Sequence, residues 1–216
     1  MQAPDGPQIY LLTPPAFDPD VFAGELAVLL DAPAGPAPVA CLRLDMPGAG
    51  EEAIRRAADA LREVAHARDI ALLIADHYRL VPEHGLDGVH LSDGHRQYRA
   101  ARKLIGRDGI VGCHCGSSRH AAMTAAEMGA DYVALGPFAV TGALGPDECA
   151  DPELAEWWGA TVETPLVVEG GLSGALLERL VAAADFIALG PEIWAAPEGA
   201  PAALAAIRER LDRVAG

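Results

Sequence analysis

The chain has 216 residues, enough for one substantial core, and its composition is 51% apolar but only 5% aromatic, which suits aliphatic packing of helices on a sheet and excludes a disordered chain. Its net charge of −15, from 31 acidic against 16 basic residues, repels nucleic acid and anionic membranes as partners. No basic segment precedes an N-terminal apolar run and no stretch reaches 18 apolar residues, so the expectation is a soluble protein without a membrane span.

Short β-rich runs alternate with longer helical ones along the chain. The strands are expected at Gln8–Thr13, Val39–Asp45, Ala71–Asp76, Gly88–Ser92, Ile110–Cys115, Tyr132–Gly136, Leu166–Glu169 and Phe186–Gly190. Between them, Glu51–Arg68 carries Ile54, Ala57, Ala58, Leu61 and Val64 at helical spacing. Similar faces occur at Val21–Leu30, Arg99–Leu104, Ser118–Met128, Pro152–Trp158, Gly174–Ala183 and Ala202–Val214, with Gly106 and Gly129 closing two of them. Val81–Gly85 is too short to read as a helix, and Ala32–Ala37 reads as a surface connection. An open doubly wound sheet wants a glycine-rich turn after its first strand, but that strand ends in Thr13-Pro14-Pro15. Eight strand-plus-crossover units therefore predict an α/β fold, a single-domain (β/α)₈ TIM barrel over residues 1–216.

The four cysteines do not fall at zinc-finger spacing; Cys113-His114-Cys115 is a C-x-C, and these thiols read as buried hydrophobes of a reduced, cytoplasmic protein. Lys103 is the only lysine, and heavy arginine and alanine use points to a GC-rich bacterial gene. Trp157-Trp158 and Trp194 suit either core or interface. His66, His84, His95 and His120 fall in helices or loops and read as solvated.

In a barrel the chemistry gathers at the C-terminal ends of the strands. That ring comprises Arg43 and Asp45, Asp76 and His77, His90 with Ser92 and Asp93, His114, Gly136-Pro137, Glu169-Gly170-Gly171 and Gly190-Pro191-Glu192. Gly170-Gly171 lets backbone N–H groups approach an anion at the start of a helix, and Gly190 offers a second approach beside it; Ser173 as an ordinary N-cap is the plainer alternative. Asp76 closes an apolar strand and suits Mg²⁺ with Asp93 as second carboxylate, or an N-cap. Asp45 suits the same metal, or an ion pair with Arg43 or Arg79. His114 shares a strand face with Gly112 and Gly116, which leaves room for a general acid or base; a satisfied core histidine fits equally.

Gly88-Val-His-Leu-Ser92, Ile110-Val-Gly112, the run Ala126-Glu-Met-Gly-Ala-Asp-Tyr-Val-Ala-Leu-Gly-Pro137 and Gly170-Gly171 together resemble the thiamine-phosphate synthase superfamily, which includes thiazole tautomerases. The resemblance implies a (β/α)₈ barrel that joins hydroxymethylpyrimidine diphosphate to thiazole phosphate with Mg²⁺ and releases pyrophosphate. It places Arg43 on the diphosphate, Asp76 on the metal, Thr141 in the loop after strand six, and Gly171 as backbone donor to the thiazole phosphate; His90, Glu169, Gly170 and Gly190 complete the expected substrate contacts. Ala75, Asp45 and Gly142–Leu144 depart from the family's asparagine, lysine and Thr-Lys positions. His95 falls near its second metal aspartate, so Asp93 stands in two residues away; His114 replaces a strand-five serine, and Gly190 falls near a strand-eight serine. A tautomerase histidine would fall at Gly116. Three readings follow: such a synthase; another phosphate-ester enzyme with His114 or Glu169 as proton carrier; and a barrel that binds a phosphorylated heterocycle without turnover.

Overall fold

The computed structural model describes residues 6–32, 37–140 and 148–215. Its elements run β1 (Gln8–Leu12), α1 (Pro19–Leu30), β2 (Val39–Leu44), α2 (Glu51–His66), β3 (Ala71–Ala75), α3 (Leu80–His84), β4 (Gly88–Leu91) and α4 (Tyr98–Ile105). There follow β5 (Ile110–Gly116), α5 (Arg119–Glu127), β6 (Tyr132–Leu135), α6 (Pro152–Thr161), β7 (Leu166–Glu169), α7 (Gly174–Val181), β8 (Phe186–Leu189), α8 (Pro191–Trp194) and α9 (Ala200–Ala215). The strands pair in parallel in chain order, and β8 pairs with β1 to close the barrel. The expected TIM barrel is the observed fold.

Period-two alternation divides each strand between two cores. Outward residues such as Leu42, Leu72, Val111, Cys113, Val133 and Ile187 pack against the helices. Inward residues Tyr10, Cys41, Leu73, Tyr132, Ala134, Val167 and Ala188 fill the barrel. The helical faces follow from the apolar spacing: α2 buries Ile54, Ala57, Ala58, Leu61 and Ala65. One turn of helix does form at Leu80–His84, where Leu80 and Val81 are buried and Gly85 at φ 61° stops it.

Three aspartates at the N-terminal face hold neighbouring strands together. Asp87, Asp131 and Asp185 precede β4, β6 and β8, and their carboxylates accept the backbone N–H of Leu72, Val111 and Leu166 at 2.7, 2.7 and 2.8 Å. Each charge-assisted bond ties an even strand to the odd strand before it. No helix among the described residues is long and apolar enough to cross a membrane. Trp158 is fully buried and donates its indole N–H to the Thr164 carbonyl at 2.8 Å, while Trp157 and Trp194 lie half-buried against the core.

Candidate active site

The C-terminal ends of the strands do carry the polar residues. Arg43, His90, His114 and Glu169 are inward positions near the ends of β2, β4, β5 and β7, two residues above Cys41, Gly88, Gly112 and Val167 on the same faces. Gly112 is required there: a Cβ would sit 1.9 Å from Tyr132 Cζ, so glycine is what lets the tyrosine ring lie across β5.

These side chains form one connected floor. Arg43 Nη1 donates to Glu169 Oε2 at 2.9 Å and Nη2 lies 3.3 Å from Asp45 Oδ2. The guanidinium also lies 5.6 Å from the centroid of the Tyr10 ring. Glu169 Oε1 lies 2.6 Å from His114 Nδ1, though the approach is out of line for a hydrogen bond and Nδ1 has no other partner. His90 Nδ1 shares a 2.9 Å hydrogen bond with the Tyr132 hydroxyl, which in turn lies 2.8 Å from the Tyr10 hydroxyl.

Burial opposes the charge on Glu169, yet Arg43 foremost, then His114 and His90, holds its carboxyl well below the usual carboxylate range. Burial, followed by the Arg43 charge, holds His90 well below the usual imidazole range, so it is neutral at pH 7. Burial pushes the Tyr10 and Tyr132 hydroxyls well above the usual phenol range, which keeps both as neutral hydrogen-bonding groups. The expected proximity of Asp45 to Arg43 is therefore an ion pair.

A second group lies at the rim. Asp76 has φ 57°, and its carboxylate accepts the Ser92 N–H at 2.7 Å and the Ser92 hydroxyl at 2.6 Å. It does not cap α3, whose N-cap position is Arg79. Asp93 Oδ2 accepts from Gln97 Nε2 at 3.1 Å, while its buried Oδ1 has no hydrogen-bond partner. Asp76 also lines a polar pocket of about 450 Å³ with His77, Arg79, Gln97 and Arg55, whose guanidinium is held by Glu51 and Glu83 of the same lining.

The third group is the glycine turn. Gly170 and Gly171 have φ of 81° and 73°, and Cβ atoms there would sit 2.8 Å from Pro137 Cβ and 2.7 Å from Ala139 Cβ. Ser173 takes the N-cap position of α7 but makes no side-chain capping bond. Gly190 donates its N–H to Glu192 Oε2 at 3.1 Å, so a side chain of this chain already meets that donor. Thr141 and Gly142–Leu144 lie outside the described residues.

Sequence reasoning missed the tyrosines, which read as ordinary strand residues. The available signal was alternation: Tyr10 and Tyr132 fall on inward faces, where a hydroxyl needs a polar partner. Two histidines read as solvated are not. His84 is 11% exposed with Nδ1 2.6 Å from Asp59 Oδ1, and His95 Nδ1 is buried without a partner. His66 is bonded to Asp87 at 2.8 Å, while His120 is exposed as expected. Among the described residues, the one group of three or more histidine, cysteine and carboxylate side chains close enough to share a metal ion is His90, His114 and Glu169, whose donor atoms lie within 4.8 Å of one another.

Residues 9–193 match the family model described as thiamine monophosphate synthase. A thiamine-phosphate synthase of Rhodospirillum centenum is 46% identical over 199 residues, covering 92% of this chain and 94% of that protein. A thiamine-phosphate synthase of Erythrobacter litoralis is 35% identical, covering 89% and 91%. Among solved structures, a thiamine phosphate pyrophosphorylase from Pyrococcus furiosus superposes with a TM-score of 0.79 at 20% identity, covering 97% of each chain. Orotidine 5'-phosphate decarboxylase from Pyrococcus horikoshii superposes at 0.65 and 16%, a likeness of fold alone. These matches do not favour the tautomerase or the binding-only reading, and the chain belongs to the thiamine monophosphate synthase family.

Proposed function

We propose that this barrel joins a hydroxymethylpyrimidine diphosphate to a thiazole phosphate and releases pyrophosphate. The observation that carries the reading is the 46% identity to a thiamine-phosphate synthase across 92% of the chain. In this reaction the bond from the pyrimidine methylene to diphosphate oxygen breaks with the electron pair leaving on oxygen. The thiazole nitrogen then forms the new bond to that carbon.

The thiazole phosphate belongs at Gly170-Gly171 and the N-terminus of α7. The absence of a Ser173 capping bond leaves backbone N–H groups of the first turn for an anion, and the helix end favours negative charge. Gly190 is a weaker candidate because Glu192 occupies its N–H. The diphosphate belongs beside Asp76, where the pocket brings the exposed Arg79 and His77 to the rim. Arg43 acts through Glu169 and Asp45, since both its terminal nitrogens face carboxylates in a 95% buried setting.

The residues present fit Mg²⁺. A buried carboxylate oxygen with no hydrogen-bond partner, as on Asp93, is a group a hard cation satisfies, and Asp76 adds a second carboxylate held in place by Ser92. When bound there, Mg²⁺ would offset charge on the departing diphosphate. His90, His114 and Glu169 line the floor on which the heterocycles would meet, His90 buried and His114 partly exposed. The buried cysteines Cys41, Cys113 and Cys115 fit a reducing cytoplasmic setting.

The test is incubation of the chain with both substrates and Mg²⁺, following pyrophosphate release and thiamine phosphate by mass. Catalytic product formation is expected. Binding of thiazole phosphate with no product at any Mg²⁺ concentration would return the barrel to the binding-only reading.

A further inference from the structure

The inner floor carries a set of donor atoms to which the proposed synthase reaction assigns no step. We propose that His90, His114 and Glu169 form a three-ligand site for a borderline divalent transition metal such as Zn²⁺, separate from the Asp76–Asp93 pair. Their donor atoms lie within 4.8 Å of one another, on β4, β5 and β7. Two imidazoles and one carboxylate suit zinc, cobalt or iron, whereas Mg²⁺ prefers an all-oxygen set such as Asp76 and Asp93.

The surrounding bonds leave one donor on each residue facing the cluster. Tyr132 takes His90 Nδ1, so Nε2 is the atom left to ligate. Arg43 takes Glu169 Oε2, so Oε1 is left. His114 Nδ1 is buried, lies 2.6 Å from that Oε1, and has no hydrogen bond of its own. A metal between them satisfies the nitrogen and the oxygen together. Two ligands at zinc bond lengths lie roughly 2.9–3.4 Å apart, so the pair opens by roughly 0.3–0.8 Å. Tyr132 and Arg43 then serve as the outer partners that fix ring orientation and carboxylate geometry, as metal sites require.

Charge and access agree with this. With neutral imidazoles, Arg43, Asp45 and Glu169 together carry one net negative charge, which a dication offsets. The ligands sit on strands, so the site is held by the sheet and not by loops. His114 keeps 28% of its side chain exposed toward the mouth, which leaves room for water or a substrate nitrogen as a further ligand.

The experiment is titration of the full chain with Co²⁺, read by its visible ligand-field bands, and with Zn²⁺, read by metal content after dialysis. We expect one metal per chain, undisplaced by excess Mg²⁺. His114→Ala should abolish it, Tyr132→Phe should weaken it by about 10–100-fold, and Asp76→Asn should leave it intact. Circular dichroism melts confirm that each variant is folded, and the half-exposed His114 makes its alanine variant the one that tolerates the change best. A chain that takes up no Co²⁺ would overturn the proposal, as would uptake unchanged in folded His114→Ala or lost in Asp76→Asn. A sulfur-to-cobalt charge-transfer band would assign the metal to cysteine and overturn it too. None of these readouts depends on pyrophosphate release, so the synthase reading and the metal site stand or fall separately.

Discussion

Arg43 on β2 and Glu169 on β7 meet across the barrel, Nη1 to Oε2 at 2.9 Å, although 126 residues separate them in the chain. Both are largely buried, with side chains 6% and 13% exposed. Removing one member of such a pair leaves the other charge desolvated, which costs about 3–5 kcal/mol. Glu169→Gln is therefore expected to lower unfolding free energy by an amount at or below that range, because Asp45 at 3.3 Å still faces the guanidinium. Denaturant unfolding checks this, and an unchanged midpoint would show that the pair is not formed in solution.

The same carboxylate sets an acid limit on the fold. Glu169 is depressed well below the ordinary carboxylate range by Arg43, aided by His114 and His90 against the opposing effect of burial. Its unfolded value is about 4.3, so the folded chain binds fewer protons than the unfolded chain over the interval below it. The contribution is thus fully present above the unfolded value and is lost as pH falls toward and through the folded one. Unfolding free energy measured from pH 6 downward should fall more steeply in the native sequence than in Glu169→Gln. Parallel curves would remove Glu169 from the acid response.

Asp76 separates a metal ligand from a loop-fastening residue. Asparagine keeps one acceptor for Ser92 but loses the charge, so Asp76→Asn should change stability by no more than about 1 kcal/mol. If Asp76 helps hold Mg²⁺ at the diphosphate, pyrophosphate release should fall by about 10²–10³-fold and need more Mg²⁺ for half-maximal rate. Steady-state rates across a Mg²⁺ series decide it. A folded variant with the native Mg²⁺ response would move the metal away from this rim.

What the sequence made legible was what repeats. Eight apolar runs at regular spacing announced the barrel, and reading only the last residues of each run assembled Arg43, His90, His114 and Glu169 before their contacts were visible. Partnership was not legible, because the Arg43–Glu169 pair and the Tyr10–Tyr132–His90 chain exist only once β8 closes on β1. Tyr10 looked like one more apolar strand residue for that reason. The strand ends fall one residue short of the apolar runs: Asp76 and Gly136 still donate their N–H to the neighbouring strand, but each takes positive φ and ends the extended backbone of β3 and β6. The aspartates before β4, β6 and β8 did repeat in the sequence, as Asp87-Gly-Val, Asp131-Tyr-Val and Asp185-Phe-Ile. The role of that regularity appears only when each carboxylate meets the backbone of the preceding strand.

The glycine turn permits a test that separates strain from ligand contact. Gly171 has φ 73°, and a Cβ there would sit 2.7 Å from Ala139 Cβ and 3.0 Å from Ala139 N. Gly106, which closes α4 away from this turn, has φ 88° with nothing within 4 Å of its would-be Cβ. Alanine at either position incurs the left-handed backbone penalty, of order 1–3 kcal/mol at the upper end for a crowded site. Only Gly171→Ala also pushes the backbone of the turn away from Ala139 and so displaces the N–H groups proposed to receive the thiazole phosphate. Gly171→Ala should therefore raise KM for thiazole phosphate by about tenfold or more with a smaller change in kcat, the mark of a contact made in both ground and transition states. Gly106→Ala should lose stability and leave that KM within about twofold of the native value. Equal shifts in KM for the two variants would show that KM follows lost stability and not the turn, and would place the phosphate elsewhere on the rim.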